Sequence, residues 1–212
     1  MLELVSVTTQ DDVELDGAHY RASERRQEHA VLIVHGLTWN FYRGPSRWLP
    51  PLLAEAGLDS LALNMRDHDR PEVMDFDLSH HDLRAGIDHL LAAGAAQVVV
   101  LAHGYGCNKL ACYPKLSGDD RIAHFVFATL GAVKSYNPDI WSKVLDCASA
   151  LRGRALIVQG ADDKLIDARA RADELSTAAA DADTEVILLE GADHYFNHRH
   201  RELARCVVDW LA

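Results

Sequence analysis

Stretches of apolar residues alternate with amphipathic stretches along most of the chain. Short continuous apolar runs indicate strands buried on both faces, and apolar residues spaced by three and four indicate helices with one buried face. The predicted strands cover residues 1–8, 13–22, 30–34, 60–65, 98–101, 124–129, 155–159 and 185–189. Strands and helices alternate through the second half, so we predict an α/β fold with a mostly parallel, doubly wound sheet of about eight strands.

The helices lie between these strands, and the sequence also marks some of their ends. They cover residues 45–56, 79–94, 167–179 and a C-terminal segment with Leu203 to Leu211, besides one after the fifth strand. Ser79 is expected to cap its helix, with Asp82 three residues later, and Pro114 is expected to shorten or bend the fifth-strand helix. We find no repeat, low-complexity segment or linker, so residues 1–212 are expected to form one domain.

The stretch from Gln97 to Cys112, QVVVLAHGYGCNKLAC, predicts a buried strand that turns sharply into a helix. Such a turn is the setting of a nucleophile elbow, which needs small residues two positions before and after its tip. Ala102 and Gly106 meet that need. The tip itself, where a Ser, Cys or Asp is expected, is Gly104. The sequence therefore predicts the form of a nucleophile site without the nucleophile.

The composition excludes some classes of partner. The formal net charge of −11 makes a nucleic acid an unlikely partner, since phosphates are bound by Lys and Arg. The four cysteines form no C-x-x-C pair, which favours free thiols in a reducing compartment. We see neither a signal peptide nor a transmembrane span, so we expect a cytoplasmic protein without a membrane partner. His80-His81 and His198-x-His200 are weak metal signals, and no metal or cofactor is predicted.

Candidate chemistry gathers where the predicted strands end. In open α/β sheets, functional residues lie at the carboxyl ends of the strands. Reading those ends in order gives His35-Gly36-Leu37, Gly104, Asp163 and His194, the chain order of a nucleophile, an acid and a base. Over nearly its whole length the chain resembles the α/β-hydrolase superfamily, and within it the small, lidless serine esterase and acylaminopeptidase-like members. The resemblance rests on VLIVHGLT (31–38), LALNMRDHD (61–69), VVVLAHGYG (98–106), ALIVQGADD (155–163) and LLEGADHYF (188–196).

The resemblance implies a role for five residues. Asp163 would be the triad acid, with Asp162 as the alternative, and His194 would be the base that the carboxylate orients. The backbone N–H groups of Leu37 and Tyr105 would form the oxyanion hole. These donors belong to the backbone, so they do not depend on the side chain at the tip.

Several aromatic residues lie in loops next to the same strand ends. Trp39, Tyr42, Trp141 and Tyr195 are the candidate substrate-binding residues among them. Their number suggests an aromatic-lined pocket for a small-molecule substrate. The segment 132–152 leaves little room for a lid, so only a minimal cap is expected. The sequence is compatible with a homo-oligomer but does not require one.

Gly104 allows three interpretations. In the first, the chain is a disabled variant of a serine hydrolase that acts on an ester, thioester or lactone. Alternatively, it is a natural enzyme that works without a covalent step, with His194 as acid or base in lyase-type or cyclase-type chemistry. In the third interpretation it is a non-catalytic binding protein. The presence of both Asp163 and His194 favours a working site over a decayed one.

Overall fold

Eight strands of the described residues form one sheet, around which the fold is built. The computed structural model describes residues 1–25, 28–68, 76–131 and 138–212. The strands are β1 (Leu2–Thr8), β2 (Glu14–Tyr20), β3 (His29–Val34), β4 (Asp59–Leu63), β5 (Gln97–Gly104), β6 (Ile122–Leu130), β7 (Gly153–Gly160) and β8 (Ala182–Leu189). Their order across the sheet is β1-β2-β4-β3-β5-β6-β7-β8. The β1–β2 and β2–β4 pairs are antiparallel and the remaining pairs are parallel, which confirms the predicted fold class.

Helices cover both faces of the sheet. They are α1 (Pro45–Glu55), α2 (Ser79–Ala92), α3 (Tyr105–Ser117), α4 (Pro138–Ala148), α5 (Ala168–Ala178) and α6 (His200–Leu211). One buried cluster joins the sheet to α2, α3, α4 and α5, and a second joins it to α1 and α6. Alternate residues of the central strands point to opposite clusters: Leu32 belongs to the first, and Val31 and Ile33 belong to the second. These strands are apolar on both faces because both faces are covered.

Some predicted boundaries differ from the observed ones. The helix after β5 continues past Pro114 to Ser117, so the proline does not end it. A proline lacks the backbone N–H that would donate to the carbonyl four residues earlier. Pro114 lies in the last turn of α3, so the missing hydrogen bond is close to the end of the helix. The expected cap of α2 is wrong. The N-cap is Leu78, the Ser79 hydroxyl donates to the carbonyl of Phe76, and the carboxylate of Asp82 accepts bonds from Arg66.

Three segments between the predicted elements are only partly described. Residues 26–27, residues 69–75, and residues 132–137 of the segment 132–152 lie outside the described ranges. The remainder of the last segment contains α4. In the part of the chain that the structure describes, no helix is long and apolar enough to cross a membrane.

Helix α3 lies unusually close to strand β3, and Gly106 permits that approach. A Cβ atom on Gly106 would lie 2.6 Å from the carbonyl oxygen of His35 and 2.9 Å from that of Val34. Both atoms belong to the backbone and cannot rotate away. The small residue two positions after the tip is therefore required by packing, as the sequence predicted.

We predict that Gly106→Ala destabilises the protein by about 1–3 kcal/mol, the usual cost of overpacking a rigid site. The sign of the change in stability is informative, because an unhindered Gly to Ala substitution inside a helix stabilises a protein by roughly 1 kcal/mol. Urea denaturation measures the difference. Lys115→Ala, on the exposed part of the same helix, is the control and should change stability by less than about 0.5 kcal/mol. A Gly106→Ala variant as stable as the parent would contradict the packing described here.

Candidate active site

Gly104 forms the tip of the sharp turn between β5 and α3. Its backbone angles are φ 57° and ψ −124°, a combination that costs other residues about 1–3 kcal/mol and glycine almost nothing. The end of β6 packs against the tip, since a Cβ atom on Gly131 would lie 3.1 Å from the carbonyl oxygen of Gly104. The turn thus has the backbone form of a nucleophile elbow, with the end of β6 in close contact with its tip.

Asp163 and His194 form a buried hydrogen-bonded pair. Nδ1 of the imidazole lies 2.7 Å from Oδ2 of Asp163, and the two side chains are 10% and 0% exposed, respectively. The other carboxylate oxygen accepts the backbone N–H of Leu165 at 2.7 Å. Both oxygens of Asp163 are therefore engaged, which fixes the carboxylate and leaves Nδ1 of His194 as the donor. Between the two candidate acids, the structure pairs Asp163 with the histidine.

The imidazole of His194 faces the tip of the turn. A Cβ atom placed on Gly104 would lie 3.7 Å from Nε2 of His194 and 3.7 Å from Cα of Gly36. Both are ordinary van der Waals distances, so a side chain at position 104 would fit and would reach the ring. The structure brings together the three positions that the sequence proposed from separate strand ends.

Close backbone contact between two loops sets the position of this pair. A Cβ atom on Gly160 would lie 2.5 Å from the carbonyl oxygens of Ala192 and Asp193. The N–H of Asp162 donates to the carbonyl of Ala192 at 2.9 Å. Asp162 thus joins the two loops through its backbone N–H. The loop after β7, which carries the acid, and the loop after β8, which carries the base, are joined directly.

The two predicted oxyanion donors lie on backbone segments that touch. Tyr105 is the first residue of α3, so its N–H has no acceptor within the helix. A Cβ atom on Gly36 would lie 3.9 Å from that nitrogen, which places the turn containing Leu37 against the start of α3. Leu37 is partly exposed. Its role as a donor to substrate stays a prediction.

Two of the four candidate aromatic residues stand beside His194. Tyr195 meets the His194 ring edge-on, with centroids 5.0 Å apart at an interplanar angle of 83°. Trp39 stacks on Tyr195 at 5.3 Å and on His103 at 5.2 Å. These rings form a continuous aromatic wall next to the Asp163–His194 pair.

The other two candidates have different surroundings. Tyr42 is 57% exposed, and the guanidinium of Arg47 lies over its ring at 5.0 Å. Trp141 is buried in α4, where its indole N–H donates to Glu174 at 2.7 Å and Arg171 lies over its ring at 4.3 Å. The structure therefore places Trp141 in the packing between α4 and α5 and does not bring it to the pair.

Three buried residues near the tip are not among the predicted site residues. His103 precedes Gly104, and its Nε2 lies 2.9 Å from the backbone oxygen of His194. Lys109, one turn into α3, forms an ion pair of 2.5 Å with Asp67, and the two side chains are 2% and 4% exposed. A lysine in the apolar pattern of α3 was the available signal, but its partner lies on a distant loop.

Two buried histidines at this end of the sheet are held in their neutral form. Burial lowers the pKa of His35 to about 4, and the charge of Lys109 adds to the effect. Burial likewise lowers the pKa of His103 to about 4, with the nearby His194 as the next cause. Nε2 of His35 accepts the N–H of Met65 at 2.9 Å, so its other ring nitrogen carries the proton.

Cys107 is a core residue. Its thiol lies 3.2 Å from the carbonyl oxygen of Ala102 and 3.4 Å from that of Thr129, and burial raises its pKa. A buried thiol with a raised pKa is a poor nucleophile. Within the described residues, no group of three or more His, Cys, Asp or Glu side chains could hold a metal ion.

Solved structures share this fold along the whole chain. The esterase Pf2001 of Pyrococcus furiosus matches with a TM-score of 0.79 at 18% identity, covering 100% of this chain and 91% of that one. A dienelactone hydrolase from Anabaena variabilis matches with a TM-score of 0.79 at 17% identity, covering 99% and 96%. XC6422 from Xanthomonas campestris, described as an α/β serine hydrolase without a lid, matches with a TM-score of 0.74 at 15% identity, covering 99% and 93%.

Comparison with protein-family models and with curated proteins finds no match. The structural likeness, at identities below 20%, establishes the fold. The chain has the α/β-hydrolase fold, as its motifs predicted.

We predict that stability falls as the pH drops from about 6.5 to 4. His35 and His103 have pKa values lowered to about 4, so in this range the unfolded chain binds protons that the folded one does not. Each of the two histidines should lower the free energy of unfolding by up to roughly 3 kcal/mol at pH 4. Urea denaturation at pH 7 and pH 4.5 measures the loss. His103→Phe should make it about 2 kcal/mol smaller, and an equal loss in both proteins would contradict the assignment.

Proposed function

We propose that this α/β-hydrolase-fold chain hydrolyses an ester, thioester or lactone of a small molecule, with His194 as general base and Asp163 as its orienting acid. The observation that supports this proposal is the direction of the imidazole. Asp163 occupies Nδ1 of His194, and Nε2 points at the tip, 3.7 Å from where a Cβ atom of residue 104 would lie. A base so held can take a proton from a reactant bound at Gly104.

The proposed reaction runs without a covalent intermediate. Nε2 of His194 takes a proton from water while the water oxygen forms a bond to the substrate carbonyl carbon. Asp163 stabilises the imidazolium that results. When the tetrahedral intermediate collapses, the bond to the leaving oxygen or sulfur breaks, and Nε2 returns its proton to that atom. The products are a carboxylic acid and an alcohol or thiol, and a lactone yields both groups in one hydroxy acid.

Backbone donors would stabilise the negative charge that develops on the carbonyl oxygen. Leu37 and Tyr105 are the proposed donors, because the turn after β3 touches the start of α3. Loss of one such donor typically costs a factor of 10²–10³ in rate, so a site that keeps both can catalyse without a serine. Trp39 and Tyr195 would contribute the wall against which an apolar part of the substrate packs.

Such a site should be slow. In serine proteases that lack a triad member, the oxyanion hole and binding alone retain about 10³–10⁴-fold catalysis over water. Activated esters, which have good leaving groups, are therefore the substrates on which activity is measurable.

We predict that Gly104→Ser raises kcat/KM for p-nitrophenyl acetate by at least about 100-fold, because a hydroxyl is then placed beside Nε2 of His194. Release of p-nitrophenol measures the rate. Gly104→Ala is the matched control, since it imposes the same backbone strain without a hydroxyl, and it should show no gain. A Gly104→Ser variant that folds and shows no gain would contradict the proposed geometry of the base.

We further predict that the unmodified chain loses its activity on p-nitrophenyl esters in the His194→Ala variant and loses at least about tenfold in Asp163→Asn. Asp162→Asn is the control for the second change, because Asp162 is adjacent and acts through its backbone. It should keep the parent rate. Turnover that survives His194→Ala would sink the proposal, and ligand binding without any turnover would favour a binding protein.

A further inference from the structure

We infer that His103 is a positioning residue for His194, which it holds at a fixed place relative to the tip through a side-chain hydrogen bond. The inference rests on the proposed function, in that it takes His194 to be the base. It concerns a residue that acts through the backbone of His194.

The hydrogen bond has a defined direction. Nε2 of His103 lies 2.9 Å from the backbone oxygen of His194, and a carbonyl oxygen can only accept, so Nε2 carries the proton. The other ring nitrogen then has a lone pair. It lies 3.4 Å from where a Cβ atom of Gly36 would be, and it has no hydrogen-bond partner among the described residues. The tautomer of His103 is thus set by its bond to the base loop.

One imidazole joins three parts of the site. His103 is adjacent in sequence to Gly104, stacks on Trp39 at 5.2 Å with an interplanar angle of 17°, and meets the ring of His194 edge-on at 5.5 Å. Only one peptide bond and one hydrogen bond separate the tip from the backbone of His194. This short path links the base to the tip directly, in addition to the long connection through β6, β7 and β8.

The environment of His103 keeps its ring uncharged during a proton transfer at His194. The ring is 2% exposed, and burial lowers its pKa to about 4. At neutral pH it therefore remains uncharged while His194 takes up a proton. Asp163 then faces a single imidazolium, since no second charge forms beside it.

Two substitutions separate positioning from simple packing. His103→Phe keeps a ring that can stack on Trp39 and removes the donor. His103→Gln loses the ring but places an amide N–H at nearly the same reach as Nε2. If His103 only fills space, the phenylalanine variant should behave like the parent. If His103 positions His194 through its hydrogen bond, the glutamine variant should behave like the parent and the phenylalanine variant should not.

The test is made by NMR on histidine-labelled protein, through the hydrogen-bonded Nδ1 proton of His194. That signal is assigned by its loss in His194→Ala. We expect its exchange with water to become about tenfold faster in His103→Phe, as for the loss of one buried hydrogen bond, and to stay within about twofold of the parent in His103→Gln. An unchanged rate in His103→Phe, or equal acceleration in both variants, would overturn the inference.

A second readout uses turnover in the Gly104→Ser background. His103→Phe should lower kcat by about tenfold with KM within about twofold, and His103→Gln should restore kcat. If no variant hydrolyses esters, the proposed function fails while the exchange measurement still decides the role of His103. If His103→Phe does not fold, His103→Met, which is flexible and has no donor, replaces it in the same comparison.

Discussion

The hydrogen bond between Asp163 and His194 is the interaction on which this site depends. An imidazole alone on a loop can rotate and exchange its tautomers, and it then presents no fixed lone pair. The carboxylate is itself fixed by a second hydrogen bond, from Leu165, and it leaves Nε2 as the nitrogen that faces Gly104. The orientation of one ring nitrogen thus follows from a chain of two hydrogen bonds.

The sheet provides the frame for this arrangement. β7 and β8 are neighbours at one edge, so the loops that follow them meet, and Gly160 lets their backbones touch. β5 is separated from β7 by β6 alone, whose end packs against the tip through Gly131. Glycine at position 104 removes a side chain and the backbone strain that comes with it. The backbone N–H groups proposed as donors and the imidazole proposed as base do not depend on that side chain.

The sequence predicted the features that depend on local periodicity. The spacing of apolar residues predicts the buried strands, the helix faces and the order of the strand ends. Gly104, Asp163 and His194 each follow a predicted strand. The spacing of apolar residues does not predict which side chains pair over long distances in the sequence. Arg66 takes the carboxylate of Asp82, which leaves the expected cap of α2 unused. Trp141 turns to α5, because Glu174 and Arg171 supply partners that no local pattern reveals.

The orientation of His194 toward the tip is tested most directly by covalent labelling of the Gly104→Ser variant with a fluorophosphonate, followed by mass spectrometry of the intact protein and its peptides. A hydroxyl at the tip reacts readily only if an oriented base takes its proton. We expect stoichiometric labelling at residue 104, and at least about 100-fold slower labelling when His194→Ala is added. Absence of labelling in Gly104→Ser, or labelling at the same rate without the histidine, would show that His194 does not act as an oriented base at the tip.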